Sequence, residues 1–353
     1  MMHKDLANSA RQTLPRPVAG EHAREAYHSR NLGLDLIRAT EAAALSAGRW
    51  MGMSRATESD NSAARAMEMA LNQIEFRGRI ILSEIDKLNS SDPLHPGESV
   101  GTGWGPEMDL VADPIEGRFL LARGHPDAIS VIAAAPRGAF WSAPQAVYME
   151  KIVVGPEVAP TLVPECLDAP AAWTLALVAR AKNKAVSDLV VFLLNRPRHS
   201  DLIREIRAAG ARVTLRSDGD LIGALKALFL SGGVDIMMGT GNYPEGLMAA
   251  CAVKAGKGAM LGRLAPQSEA ERQALLASGH DLQKIMTVDE LVGDQETFFS
   301  ATGITDGSLL AGVKYEGVRA TSHSLIMRGK THTRRIIKAE HLLEQGEHSP
   351  SLD

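Results

Sequence analysis

Carboxylates placed where short apolar runs end are the side chains of this sequence best suited to chemistry. Glu84 follows Ile80, Ile81 and Leu82, and Asp113 and Glu116 follow the run from Met108 to Ala112. Asp60 stands at the start of an apolar helical stripe, and Glu245 lies in Gly241-Asn242-Tyr243-Pro244-Glu245-Gly246. Hard divalent cations take oxygen ligands of this kind. Magnesium keeps several waters and accepts a few carboxylates together with phosphate oxygens, so acids supplied by separate loops suit it better than one local cage. Singly, each acid reads as a cap or a solvated turn residue, and only their joint pattern carries weight. Zinc has no comparable support, because the 11 histidines form no His-Glu-x-x-His pair and the two cysteines no Cys-x-x-Cys pair.

Elements of ordinary globular composition must position these acids. Of the 353 residues, 45% are hydrophobic, 23% charged and only 4% aromatic, so aliphatic side chains and alanine fill the interior. That length favours two domains or one domain with two lobes. A dispersed net charge of -4 gives no field that favours nucleic acid or an anionic membrane, which leaves a small molecule as the expected partner. No apolar run reaches membrane-spanning length, no signal-peptide core is present, and Cys166 and Cys251 fall in different segments. A reducing, cytoplasmic setting is expected.

Leu32, Leu36, Ala39, Ala43, Ala47 and Trp50 recur every three or four residues, which predicts a helix to about Met51. A second stripe, Ala63, Met67, Ala70, Leu71 and Ile74, follows Asp60, whose carboxylate is expected to cap that helix. Strands are expected at 79–83 and 108–112, the latter leading into a turn at Asp113-Pro114-Ile115-Glu116-Gly117, and again at 128–135. Pro144 to Lys151 reads as a turn before Ile152-Val153-Val154. From about residue 165, helices at 170–182, 200–209, 220–229 and 245–255 alternate with strands at 189–194, 212–215 and 234–238, the rhythm of an α/β layer. Glycine-punctuated antiparallel strands are expected over 308–337. Gly101-Thr102-Gly103-Trp104-Gly105 is a tight turn and not a dinucleotide loop, since Pro106 and an acidic strand replace the helix such a loop must open. Cys251 reads as a small buried hydrophobe, and Arg334-Arg335 with Lys338 as a solvated or subunit-facing edge.

The segment Asp113-Pro114-Ile115-Glu116-Gly117 resembles the Asp-Pro-Ile/Val-Asp/Glu-Gly-Thr signature of the lithium-sensitive phosphatase superfamily. Ordered motifs from residue 30 to 343, among them Arg30-Asn31-Leu32-Gly33-Leu34, Met149-Glu150-Lys151, Arg196-Pro197-Arg198-His199, Asp218-Gly219-Asp220 and Pro244-Glu245-Gly246, resemble the class II fructose-1,6-bisphosphatases. This resemblance implies a layered α/β/α/β/α sandwich of two lobes. By it, Asp60 and Glu84 hold one Mg2+ or Mn2+ ion, and Asp113, Glu116 and Glu245 another. Substrate contacts carried over are Glu116, Gly117, Arg118, Tyr148, Pro197, Arg198, His199, Asp218, Gly219, Asp220 and Asn242, which falls where the family has a glycine. The implied activity is removal of the 1-phosphate of fructose 1,6-bisphosphate by metal-activated water, with sedoheptulose 1,7-bisphosphate a second substrate. A homo-oligomer, dimer or tetramer, is also implied. Boundaries are expected at 1–28 for a mobile extension, 29–160 for a metal-binding lobe, 161–343 for a sugar-phosphate-binding lobe and 344–353 for a polar tail.

Three positions depart from the family pattern. Arg118 replaces the signature threonine, and as a long cation it can either pair with phosphate or compete with a metal for Glu116. Leu88 aligns with the acid expected to activate water, which leaves Asp86 as the catalytic stand-in if the loop shifts. Ser54-Arg55-Ala56-Thr57 replaces Gly-Asp-Lys-Asn, so Ala56 stands where a lysine near phosphate is expected. These departures support an alternative expectation, a weak or silent paralogue that binds sugar phosphates in a regulatory role.

Overall fold

The computed structural model describes residues 21–83, 92–229 and 232–343. Most of the expected extension, the polar tail, and Glu84, Asp86 and Leu88 therefore lie outside the described residues. The strands are β1 (Arg77–Ser83), β2 (Ser99–Val100), β3 (Glu107–Glu116), β4 (Ile129–Pro136), β5 (Tyr148–Val154), β6 (Val190–Leu194), β7 (Arg212–Arg216), β8 (Ile236–Asn242), β9 (Ala259–Leu264), β10 (Met286–Thr287), β11 (Phe298–Gly303), β12 (Lys314–Glu316), β13 (Arg319–Arg328) and β14 (Thr333–Leu342). The α-helices are α1 (Glu21–Gly48), α2 (Ala56–Leu71), α3 (Arg118–Ala122), α4 (Ala171–Lys182), α5 (Ser200–Ala208), α6 (Asp220–Leu228), α7 (Tyr243–Ala255), α8 (Glu269–Ala277) and α9 (Val288–Leu291).

Two mixed sheets result. The first runs β12-β13-β11-β4-β3-β1-β2 with β14 along β13, and the second runs β10-β9-β5-β8-β6-β7. The central strands of both sheets are buried on two sides, because strand side chains alternate between faces and each face there is apolar, while β7, β12 and β14 at the edges are exposed or half-buried. In β3, Leu110 and Ala112 pack beneath α1 and α2, while Val111 faces the opposite core. In β6, Phe192 and Leu194 join that same central core, while Val191 and Leu193 face α4 and α5. Helices α6 and α7 fill the space between the sheets, and the order of layers is α/β/α/β/α. Helix α7 is apolar around most of its circumference, as a helix enclosed between two sheets must be, and Cys251 is among its buried residues.

Several boundaries differ from the sequence reading for identifiable reasons. Helix α1 begins at Glu21, because a helix once nucleated extends through good formers such as Ala23, Glu25 and Ala26 without needing an apolar stripe. Helix α2 begins at Ala56, which places Asp60 inside its second turn and not at its cap. The Asp113-Pro114-Ile115-Glu116 segment is not a turn. Strand β3 continues through it with a register shift against β4 between Asp113 and Glu116, the irregularity that lets a residue lacking an N–H remain in a sheet. The reversal comes at Gly117, whose φ of 84° favours glycine. Strand β5 starts at Tyr148, inside the stretch read as a turn. Sheet membership does not follow the division at residue 160, since β5 belongs to the second sheet and β11 to β14 return to the first.

Leu247 of α7 is fully buried in the central core. Leu247→Ala is expected to lower the unfolding free energy by about 2–5 kcal/mol, read as a lower urea midpoint with an unchanged slope. A loss below about 1 kcal/mol would mean that the central layer is loosely packed.

Candidate active site

A cleft of about 490 Å³ opens where the two sheets and the central helices meet. The bulged end of β3 contributes Asp113 and Glu116, and the turn after it contributes Gly117, Arg118 and Phe119. Tyr148 opens β5 opposite Asn242, the last residue of the adjacent antiparallel β8. Arg196 follows β6, Asp218 follows β7, and Pro244 and Glu245 lie in the first turn of α7. Each side chain thus hangs from a rigid strand end or helix start.

Glu116 and Glu245 of the cleft lining are buried together with Asp220, which is not itself part of that lining, and one carboxylate oxygen from each lies within 4.8 Å of the others. Backbone and side-chain donors hold them apart from simple repulsion. Leu221 N–H donates to Glu116 Oε1 at 3.2 Å, and Asn242 Nδ2 donates to Glu245 Oε1 at 3.0 Å. Lys151, itself fully buried in β5, donates from Nζ to Asp220 Oδ2 at 2.5 Å and to the Asn242 carbonyl at 3.1 Å. Burial alone would raise the pKa of Asp220, but the attraction of Lys151 wins and holds the carboxyl below the usual range. Close approach is possible because residue 241 is glycine: a Cβ there would stand 1.6 Å from Asp220 Oδ2. Asp220 Oδ1 is buried and accepts no hydrogen bond. An all-oxygen, buried, anionic set with an unsatisfied carboxylate oxygen fits a hard divalent cation.

The structure distributes the sequence-predicted residues unevenly. Asp113 lines the same cleft, with its Oδ1 accepting the Ile115 N–H at 3.0 Å. Asp60 faces Arg118, whose Nη1 lies 3.5 Å from Asp60 Oδ2. Glu116, Gly117, Arg118, Tyr148, Asp218 and Asn242 line the cleft, while Pro197, Arg198, His199, Gly219 and Asp220 are not among its lining residues. Arg198 stacks over the Tyr148 ring at 5.0 Å and donates from Nε and Nη2 to the Thr240 carbonyl, so it braces the tyrosine. Gly219 has a φ of 84° and caps α6, aiming the Asp220–Leu221 turn at Glu116. His199 departs furthest from the sequence expectation. Its Nδ1 lies 2.8 Å from the Leu194 carbonyl and its Nε2 accepts the Thr240 N–H at 2.8 Å, an arrangement that fixes a neutral imidazole between β6 and β8.

Two further residues stood in the quoted motifs without being assigned a role. Arg196 lines the cleft, 3.9 Å from Asp218, a carboxyl that burial pushes upward against the pull of that arginine. Lys151 stood in the quoted Met149-Glu150-Lys151 motif, next to a second charge at Glu150, and nothing local marked it as the buried partner of Asp220.

Burial lowers the pKa of His199 below its ordinary value of 6.5. The unfolded chain therefore takes up a proton first, and the stability carried by the neutral ring is complete above about pH 6.5 and shrinks as pH falls through that value. His199→Gln, which cannot titrate, is expected to lose less urea-unfolding free energy than wild type between about pH 7.5 and pH 5.5. An identical loss in both proteins would remove the neutral latch.

Comparison with known proteins agrees with this geometry. A family profile described as bacterial fructose-1,6-bisphosphatase, glpX-encoded, matches residues 30–341. Fructose-1,6-bisphosphatase 1 class 2 of Escherichia coli (strain K12) is 35% identical over 329 residues, covering 90% of this chain and 96% of the relative. Fructose-1,6-bisphosphatase class 2 of Shigella flexneri matches to the same extent. The chain belongs to the class II fructose-1,6-bisphosphatase family.

Proposed function

We propose that this protein hydrolyses the 1-phosphate of fructose 1,6-bisphosphate with the help of Mg2+ or Mn2+. The observation that carries this reading is the buried group of Glu116, Asp220 and Glu245, two members of which line a cleft that also presents two arginines. Family membership supports the substrate. Glu116, Asp220 and Glu245, with Asp113 beside them, would hold the cation. When bound there, a divalent ion neutralises phosphate oxygens and supplies a water acidic enough to attack phosphorus.

The protein's own residues supply position and charge. Arg118 and Arg196 present guanidinium groups that match two phosphate oxygens at once. Tyr148, held by Arg198, and Asn242, held against Glu245, bound the cleft from the second sheet. Asp218, in the cleft beside Arg196, can accept a hydrogen bond from a sugar hydroxyl. In the reaction, the bond from phosphorus to the water oxygen forms, the bond to the C1 oxygen breaks, and that oxygen leaves with a proton. Phosphoryl transfer of this kind depends mainly on alignment and charge stabilisation, which such a rigid rim provides.

Fructose 1,6-bisphosphate is placed ahead of sedoheptulose 1,7-bisphosphate, in a cytoplasmic homo-oligomer. Among the described residues no helix is long and apolar enough to cross a membrane. The regulatory alternative draws no support from the cleft or from the relatives.

Phosphate release from fructose 1,6-bisphosphate is expected with Mg2+ or Mn2+ and not with a chelator. Glu245→Gln, which keeps the shape but removes the charge, is expected to lower the rate by about 10²-fold or more. A wild-type rate at background with both metals would overturn the hydrolase reading.

A further inference from the structure

Arg118 stands where the family signature has a small hydroxyl, and its surroundings define what it does. It is the first residue of α3, immediately after Gly117. Its guanidinium lies 5.3 Å from the Phe119 ring centre and 3.5 Å from Asp60 on α2. The end of α3 is fastened to the loop that leads into α2 by backbone hydrogen bonds from Gly52 N–H to the Leu121 carbonyl at 2.9 Å and from Ser54 N–H to the Ala122 carbonyl at 3.1 Å. The ion pair therefore rests on fixed supports. Asp60 has 16% of its side chain exposed and Arg118 has 37%, so the acid is enclosed while the cation faces the cleft.

The family resemblance implies two metal positions, one of them at Asp60. Among the described residues, the one buried group with metal-holding geometry is Glu116, Asp220 and Glu245; Asp60 is outside it, and Glu84, expected beside Asp60, lies outside the described residues, so the Arg118–Asp60 ion pair alone bears on this position. A guanidinium stays protonated at every physiological pH, so an ion entering beside Asp60 would meet a permanent positive charge or have to displace it. We propose that Arg118 is a built-in cation occupying the Asp60 position, so that this chain holds one divalent ion at Glu116, Asp220 and Glu245 instead of two. The guanidinium then serves a phosphate group from the same place a second ion would. This rests on the metal-dependent reading above, and it makes the positively charged side of the site independent of metal concentration at one of its two positions.

Manganese provides the test. Full-length protein would be saturated with Mn2+, freed of excess by gel filtration, and examined by elemental analysis and electron paramagnetic resonance. Wild type is expected to retain one Mn2+ per chain with the hyperfine-split signal of an isolated ion. Arg118→Thr is expected to retain two, with the exchange-coupled signal of neighbouring ions, and Arg118→Met provides a second neutral variant should threonine impair folding. Arg118→Lys, which keeps a charge, is expected to stay at one. Two ions in wild type, or one ion in both neutral variants, would overturn the proposal. Phosphate release measured on the same samples separates the two readings: one ion without turnover refutes the hydrolase function alone, and turnover with two ions refutes the role of Arg118 alone.

Discussion

Three carboxylates buried side by side require compensation, and the centre of this molecule is organised around providing it. With oxygens no more than 4.8 Å apart, each ionised pair repels by about 3 kcal/mol or more at an effective dielectric near 20. Lys151 supplies one full positive charge. The first turn of α6 supplies the Leu221 N–H, at a helix end where the backbone dipole already favours an anion. The first turn of α7 carries Glu245 itself at the same favourable end. What remains is a net negative set, and that remainder is what attracts a divalent cation. The glycine at 241 belongs to the same constraint, since the Lys151–Asp220 contact passes through the space that any Cβ would take.

A site between two sheets also needs the sheets to keep their spacing. Asp127 does part of this. Its buried carboxylate pairs with Arg216 at the end of β7, accepts Lys226 of α6 at 2.9 Å, and takes the Ser308 N–H at 3.1 Å. The first sheet's loops are thereby tied to the second sheet and to the helix that carries Asp220. On the far side of the cleft, the neutral ring of His199 ties the β6 end to β8. Neither residue needs to touch substrate to matter, because shifts of an ångström at these ties would separate groups that act only together.

Most of the layer order was legible because it rests on repeating patterns. The stripe from Leu32 to Trp50 and the alternation of helices and strands after residue 165 report burial directly, and the helices and strands fall within a few residues of where those patterns place them. The acids on β3 stood out because they follow an apolar run, whereas Glu245 stands in a Gly-Asn-Tyr-Pro-Glu-Gly turn sequence and was singled out by its motif. Other features depend on contacts between residues far apart in sequence and leave no local trace. Pro114 and the residues around it spell a turn by composition, yet pairing with β4 keeps them in a bulged strand. Asp220 joins the carboxylate group only because β5 brings Lys151 beneath it. His199 looks like a substrate ligand in a run of Arg, Pro and Arg, and only the crossing of β6 and β8 turns its ring toward two backbone groups.

Two of the positions that depart from the family pattern, Ala56 and Arg118, occupy the same kind of place in the fold, and that place explains how they are tolerated. Ala56 opens α2 and Arg118 opens α3 at the cleft, both at helix starts, where a side chain can be exchanged without moving a strand. The inner group is different: Glu116 is held by the start of α6, Glu245 by Asn242 and Asp220 by Lys151 of β5, and removing Asp220 would leave a buried lysine unpaired at a cost on the order of 3–5 kcal/mol. Selection for a new substrate or a new metal requirement would therefore act first on the rim. A cation at position 118 is the kind of change this architecture permits, because it alters the charge that faces a phosphate while leaving the buried carboxylates, and the fold that compensates them, in place.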